Sequence, residues 1–141
     1  MTYRFLEDVS RADVAFEVDS VHLEKVFEEA GLALSETQVK DLKSVKHILS
    51  RKVELKAENL EKLLHEFLQE IIFYKDAEML LFSKYNVEIY EKECHLIAEM
   101  LGEVIDMEKH ELLVDVKAVT WHMFQLKKED GKWNAFVILD V

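Results

Sequence analysis

The sequence predicts an α+β fold, a two-layer sandwich in which two main helices lie on one face of a mixed, mostly antiparallel sheet. Two segments with helical periodicity each follow a segment of alternating apolar residues, and the second half of the chain alternates almost throughout. The chain has 141 residues, of which 50% are hydrophobic, so it is long enough to bury the core of one domain. We therefore expect a single domain over residues 1–141.

The first strand–helix unit lies between Asp13 and Gly31. Alternation of Val14, Phe16 and Val18 is typical of a half-buried strand. A helix is expected next, with Gly31 either inside it or at its end, because apolar residues recur at helical spacing: Leu23, Val26, Phe27 and Ala30. The Ser-x-x-Gln pattern of Ser35 to Gln38 resembles a capping box and predicts a second, short helix through Val39, Leu42 and Val45.

The second unit repeats this order. Val53, Leu55 and Ala57 predict a strand, and Asn59 is the expected N-cap of the strongest helix. Its apolar residues follow the i, i+3, i+4, i+7 spacing without a gap: Leu60, Leu63, Leu64, Phe67, Leu68, Ile71 and Ile72. A faint similarity between the two units favours two helices packed over one sheet.

The second half predicts strands joined by hairpins. Four alternating segments are expected to form them: Val87 and Ile89; Leu96, Ala98 and Met100 up to Gly102; Val114 to Thr120; and Trp133 to Leu139. Glu91 to Glu93 and Asp130-Gly131 are the expected turns, the latter of type I′ because glycine adopts positive φ without steric cost.

Composition narrows the function classes. A net charge of −11 repels phosphate, so direct and tight nucleic-acid binding is not expected. The single cysteine, Cys94, and the lack of a signal peptide or an apolar run of about 20 residues suggest a cytoplasmic protein outside the membrane. Familiar catalytic motifs are absent, and the six histidines show no ligand spacing, with His22 and His65 expected on solvent-facing parts of helices.

The C-terminal strand runs into Asp140 and Val141. Two carboxylates on successive residues, one from the side chain and one from the main chain, resemble an oxygen-rich site for Mg²⁺ or Ca²⁺. An acidic strand end in water is the simpler interpretation of the same residues. Counting back from the Asp130-Gly131 turn places Trp121 opposite Asp140 and Lys117 ~13 Å further along, so direct contact with Lys117 would require a bulge or slanted pairing.

A family resemblance rests on three motifs. Residues 106–110 (DMEKH), residues 116–122 (VKAVTWH) and the final Asp140-Val141 resemble, in order and spacing, those of the archease family. Ala12-Asp13 and Gly102-Glu103 stand where that family has further motifs. The chain departs from the family at Ser10-Arg11, which replace a His-Thr pair.

The resemblance implies an accessory role. Archeases assist the tRNA-splicing RNA ligase, which is charged with GMP on a histidine, by promoting its guanylylation and turnover. By position, Asp13, Asp140 and the Val141 carboxylate would bind a divalent cation, with calcium expected first and magnesium or manganese as alternatives. Lys117 would engage the ligase active centre or its nucleotide phosphates.

Two other functions fit the same residues. One is a metal-dependent phosphohydrolase in which Asp13 and Asp140 hold the ion and Lys117 or His122 serves the leaving group. The other is a metal-free, chaperone-like binding module that uses the sheet and the acidic surface.

Overall fold

The computed structural model describes residues 2–6 and 13–141 and confirms the α+β class. Ser10, Arg11 and Ala12, which belong to the family motif near the N-terminus, lie outside the described residues. Two α-helices are present in the described part of the chain, α1 (Leu23–Gln38) and α2 (Leu60–Glu78). The strands are β1 (Thr2–Leu6), β2 (Asp13–Ser20), β3 (Leu49–Lys56), β4 (Leu80–Tyr90), β5 (His95–Val104), β6 (Ala118–Val119), β7 (Gln125–Glu129) and β8 (Lys132–Asp140).

The described strands form two sheets, where the sequence predicted one. A five-stranded sheet has the order β1-β2-β8-β6, with β7 also paired to β8, and a three-stranded sheet has the order β3-β5-β4. All of these pairings are antiparallel. The single-sheet expectation was wrong because β2 and β3, the strands of the two similar units, do not pair with each other. Each pairs with a strand from later in the chain.

Helix α1 continues seven residues beyond Gly31, so the short helix predicted from the capping-box pattern does not exist. The Ser35 hydroxyl is buried and hydrogen-bonded to the Tyr85 hydroxyl at 2.5 Å. Thr37 donates its hydroxyl to the Ala33 carbonyl one turn earlier. These polar side chains are therefore satisfied inside the helix and do not cap a new one. Gly31 lies within α1, where the absence of a side chain leaves room for Tyr85, since a Cβ there would come 2.9 Å from the Tyr85 ring.

Helix α2 begins where the sequence predicted it. The Asn59 side chain accepts a hydrogen bond from the Lys62 amide at 2.9 Å, which satisfies one of the free N–H groups of the first turn. The helix ends at Glu78, before Met79 with its left-handed backbone (φ 58°). Neither helix of the described chain is long and apolar enough to cross a membrane.

One main core joins the helices to both sheets. Phe16 of β2, Phe27 of α1, Phe67 of α2 and Phe82 of β4 are all completely or almost completely buried in the same cluster. The rings of Phe27 and Phe67 lie 5.9 Å apart between the two helices. The two sheets are thus connected through helix packing and fold around a shared apolar interior.

The two predicted turns are confirmed. Asp130 and Gly131 both have positive φ, 52° and 74°, which is the type I′ geometry of a two-residue hairpin between β7 and β8. Glu91–Glu93 form a 3₁₀ turn between β4 and β5. The strand predicted from Val114 to Thr120 is reduced to the two residues of β6, Ala118 and Val119.

Candidate functional site

The pairing of β2 with β8 brings Asp13 and Asp140 together. Asp13 is the direct cross-strand partner of Asp140, at the end of the sheet where β2 begins and β8 ends. Alternation places both side chains on the face opposite Phe16 and Leu139, which point into the core. Directly opposed residues on one face have Cβ atoms about 5 Å apart. Residues from the two ends of the sequence therefore form one carboxylate pair.

Such a pair is unfavourable without a counter-charge. Like charges directly opposite each other on a sheet destabilise the pairing. A cation between them would reverse the sign of that interaction, and Val141, the next residue after Asp140, lies beside the pair. Within residues 2–6 and 13–141 there is no group of three or more His, Cys, Asp or Glu side chains that could hold a metal ion. Any cation here would depend on two side chains supplemented by main-chain oxygen.

Lys117 lies next to Asp140, and the predicted separation of ~13 Å was wrong. The Lys117 amide donates a hydrogen bond to the Asp140 carbonyl at 2.7 Å. Its neighbour Ala118 is the cross-strand partner of Asp140 on the other side of β8 from Asp13. The Lys117 side chain is exposed. The Lys117 backbone thus lies beside Asp140, and its exposed side chain is accessible to a partner.

The register differs because extra residues are looped out between β6 and β7. Pairing counted from the turn holds as far as Gln125 opposite Phe136, but Val119 then pairs with Leu139. Between these pairs a tight turn forms, with positive φ at Met123 (55°) and a hydrogen bond from the Phe124 amide to the Trp121 carbonyl. The looped-out residues act as the bulge that the sequence analysis required if Lys117 was to contact Asp140. Most of the predicted strand is absent because β8 ends at Asp140, opposite Ala118, so residues 114–117 have no β8 residue opposite them.

Residues 115–126, which we call the strap, are held against α2 by polar side chains. Segments without a regular hydrogen-bond ladder must satisfy their backbone groups in another way. Here helix side chains meet that need along about four turns of α2. The contacts are Lys75 Nζ to Val116 O (2.8 Å), Gln69 Oε1 to Val119 N (2.6 Å), His65 Nε2 to Val119 O (2.9 Å) and Glu61 Oε2 to Leu126 N (3.2 Å).

Sequence reasoning missed these helix residues, although a signal was present. Glu61, His65 and Gln69 are spaced four residues apart and form a polar row beside the apolar stripe of α2. A polar row in that position indicates contact with backbone at the edge of the core. Lys75, also missed, is 7% exposed and forms ion pairs with Asp76 and Asp115.

His65 is buried, contrary to the prediction that it faces solvent. Its ring is stacked on Trp121 with centroids 3.7 Å apart and planes 5° from parallel, and only 8% of the residue is exposed. Burial lowers the pKa of His65, against smaller opposing effects of the Val119 hydrogen bond and Glu66. The carbonyl of Val119 can only accept, so the neutral ring carries its proton on Nε2. His22 is exposed, as expected.

Glu103 and His110, which are buried, form a separate cluster with the exposed Lys109. The Glu103 carboxylate accepts hydrogen bonds from Lys109 Nζ (2.8 Å), His110 Nε2 (3.0 Å) and the Lys46 amide (2.7 Å). Burial raises the pKa of Glu103, but these hydrogen bonds outweigh it and hold the pKa at about 2. Glu103 of the Gly-Glu motif and Lys109 and His110 of the Lys-His motif therefore bond to one another and fix the chain that leads into the strap. Their side chains are used in this cluster and not as ligands of a cation at Asp13 and Asp140.

Replacing Glu103 by glutamine is expected to lower the free energy of unfolding by about 2 kcal/mol at pH 7, because the three hydrogen bonds to the carboxylate lose its negative charge. A carboxyl with a depressed pKa contributes stability above its unfolded pKa of 4.5 and loses it as the pH falls towards 2. The difference between parent and variant should therefore shrink between pH 5 and pH 2.5. Urea unfolding over this range measures it. Glu88→Gln, at an exposed position of β4, is the control, and an equal effect there would contradict the assignment.

A surface depression lies elsewhere on the five-stranded sheet. It has a volume of about 660 Å³ and is lined by Glu17, Met123, Gln125 and Phe136 among others. Asp13, Lys117 and Asp140 are not among its lining residues. The carboxylate pair, at the end of the sheet where β2 begins and β8 ends, therefore lies outside this depression.

Comparison with known proteins identifies the family. The sequence model of the archease protein family matches residues 3–141. The chain belongs to the archease family. It is 42% identical to protein archease of Methanothermobacter thermautotrophicus over 132 residues, which cover 92% of this chain and 93% of that protein. Protein archease of Thermococcus gammatolerans is 38% identical over 133 residues, with the same coverage.

Solved archease-like structures share the fold. The solution structure of a Methanobacterium thermoautotrophicum protein matches with a TM-score of 0.84 and 42% identity, covering 99% of this chain and 98% of the other. An archease from Thermotoga maritima, described as a possible chaperone, matches with a TM-score of 0.66 over 94% of this chain and 93% of the other. At 16% identity, the second likeness establishes the archease fold alone.

Proposed function

We propose that this protein is an accessory factor that activates the tRNA-splicing RNA ligase by promoting its guanylylation and turnover. The observation that carries the proposal is the convergence of Asp13, Lys117, Asp140 and Val141 at one end of the five-stranded sheet. Membership of the archease family supports it independently. The Lys117 side chain is exposed, which is consistent with a contact between it and a partner protein.

Asp13, Asp140 and the Val141 carboxylate would hold a divalent cation, calcium in the first place and magnesium or manganese as alternatives. Carboxylate oxygens are the ligands that these hard cations prefer. Two carboxylates opposite each other repel, and a cation bound between them would remove that repulsion. When bound, such an ion neutralises phosphate charge during nucleotidyl transfer. The protein contributes the paired ends of β2 and β8, which hold the two side-chain carboxylates opposite each other.

Lys117 would bind a phosphate of the ligase-bound nucleotide. A lysine ammonium is a compact point charge on a flexible stem, and it can reach outward while its backbone stays bonded to Asp140. The net charge of −11 favours encounter with a positively charged protein surface and disfavours direct RNA binding. The RNA would therefore be held by the ligase and not by this chain.

Lys117→Met tests this role. The variant removes the ammonium but keeps the stem, so we expect the stimulation of ligase guanylylation to fall by about tenfold to a hundredfold, the usual value of a charge-assisted hydrogen bond. The measurement is incorporation of labelled GMP into purified ligase with GTP. Lys56→Met, at an exposed position of β3 on the other sheet, removes the same charge and should leave stimulation unchanged. Equal stimulation by parent and Lys117→Met would contradict the role.

A further inference from the structure

We infer that His65 and Gln69 of α2 are positioning residues that fix Lys117 beside the Asp13–Asp140 pair, an inference that rests on the proposed function of Lys117. Both side chains bond to the same strap residue, Val119. Gln69 accepts from its amide at 2.6 Å, and His65 donates to its carbonyl at 2.9 Å. Val119 lies two residues from Lys117, so its placement constrains that of the lysine, together with the Lys117–Asp140 hydrogen bond and the contact of Lys75 with Val116.

The two contacts replace a missing strand. β6 has only two residues and pairs with β8 on one side, where Val119 lies opposite Leu139. The backbone groups of Val119 are bonded to α2 instead of to a further strand. A two-residue strand has little stability of its own. The helix side chains therefore determine whether the strap remains in register with Asp140.

Aromatic packing holds His65 in turn. Its ring lies flat against Trp121 and edge-on to Phe124 with centroids 5.2 Å apart, and both residues belong to the turn that shifts the register. His65 therefore contacts β6 at Val119 through a hydrogen bond, and the turn that shifts the register at residues 121 and 124 through its ring. A loss of either contact should let β6 slip while the β2–β8 pairing persists.

Four variants separate the hydrogen bonds from the packing. His65→Phe keeps a ring against Trp121 but removes the donor, and His65→Gln keeps a donor of similar reach. Gln69→Met keeps the shape but removes the acceptor, and Gln69→Glu keeps the acceptor. We expect His65→Phe and Gln69→Met to weaken the strap, whereas the donor- and acceptor-retaining variants should preserve much of its stability.

Amide hydrogen exchange by NMR is the primary measurement, because it does not depend on the ligase. In His65→Phe and Gln69→Met the amides of Lys117 and Thr120, which bond to Asp140 and Ile138, should exchange at least about tenfold faster, the effect of losing one hydrogen bond. Amides in the central β2–β8 ladder should keep the parent's protection. Unchanged exchange at Lys117, or an equal increase throughout the β2–β8 ladder, would overturn the inference.

Ligase guanylylation is the second measurement. The maximal stimulation should fall in the same order as the protection of the Lys117 amide, with His65→Gln and Gln69→Glu closer to the parent. Faster exchange with undiminished stimulation would overturn the link between position and function. If the parent protein itself gives no stimulation, the proposed function fails, while the exchange data still decide whether His65 and Gln69 position Lys117.

Discussion

Asp140→Asn is expected to make the protein unresponsive to divalent cations and, without them, slightly more stable. Asparagine keeps the shape of the side chain but removes the charge that faces Asp13 across the strands. Relief of that repulsion should raise the free energy of unfolding by about 0.5 kcal/mol in chelator. The parent should gain about 2.7 kcal/mol at a cation concentration a hundredfold above Kd, a gain that the variant should lose.

Thermal unfolding with chelator, Ca²⁺, Mg²⁺ or Mn²⁺ measures both effects. Asp13→Asn should behave in the same way, because the two carboxylates are cross-strand partners. Glu129→Gln removes one charge from an exposed position on the same sheet and should respond to cations like the parent. Equal cation responses in Asp140→Asn and the parent would show that the carboxylate pair is not the binding site.

Gly102→Ala is expected to cause the largest loss of stability, about 3 kcal/mol or more in the free energy of unfolding. A Cβ at this position would lie 1.8 Å from the Leu81 carbonyl oxygen and 2.8 Å from the Phe82 Cα. These are backbone atoms and cannot move aside as a flexible side chain would. The close approach occurs where the register of β4 against β5 shifts between Phe82 and Lys84.

Gly131→Ala is the matched control for that substitution. Nothing lies within 4 Å of a Cβ at Gly131, so the only cost is the positive φ of 74°, about 1 kcal/mol. Urea unfolding of both variants compares a steric cost with a conformational one. A smaller loss for Gly102→Ala than for Gly131→Ala would contradict the packing of β4 on β5.

Local patterns predicted most of the secondary structure. The apolar stripes of α1 and α2, the Asn59 cap and the Asp130-Gly131 turn depend on neighbouring residues, and the structure confirms them. The division into two sheets was not predictable in this way, because alternation reveals a strand but not its partner. The capping-box pattern at Ser35 failed for a similar reason, since a distant residue, Tyr85, bonds to that hydroxyl.

The site was also predictable only in its local features and not in its long-range contacts. Asp140 and Val141 were singled out by the strand that runs into them, whereas Asp13 and the role of Lys117 came from motif resemblance. Strand counting could not connect Lys117 to Asp140, because extra residues loop out of the strap near Met123, which has positive φ. His65 was expected to face solvent because helical periodicity does not show that Trp121 covers it. Contacts between side chains and irregular backbone leave little trace in a periodic pattern.

Multiple-turnover joining of cleaved tRNA halves by purified ligase tests whether this sheet end activates the ligase. With ligase limiting, the parent protein should raise the number of joining events per ligase well above one, whereas Asp140→Ala should not. Turnover that is unchanged by the parent protein, or equal stimulation by parent and Asp140→Ala, would contradict the proposed function of this sheet end.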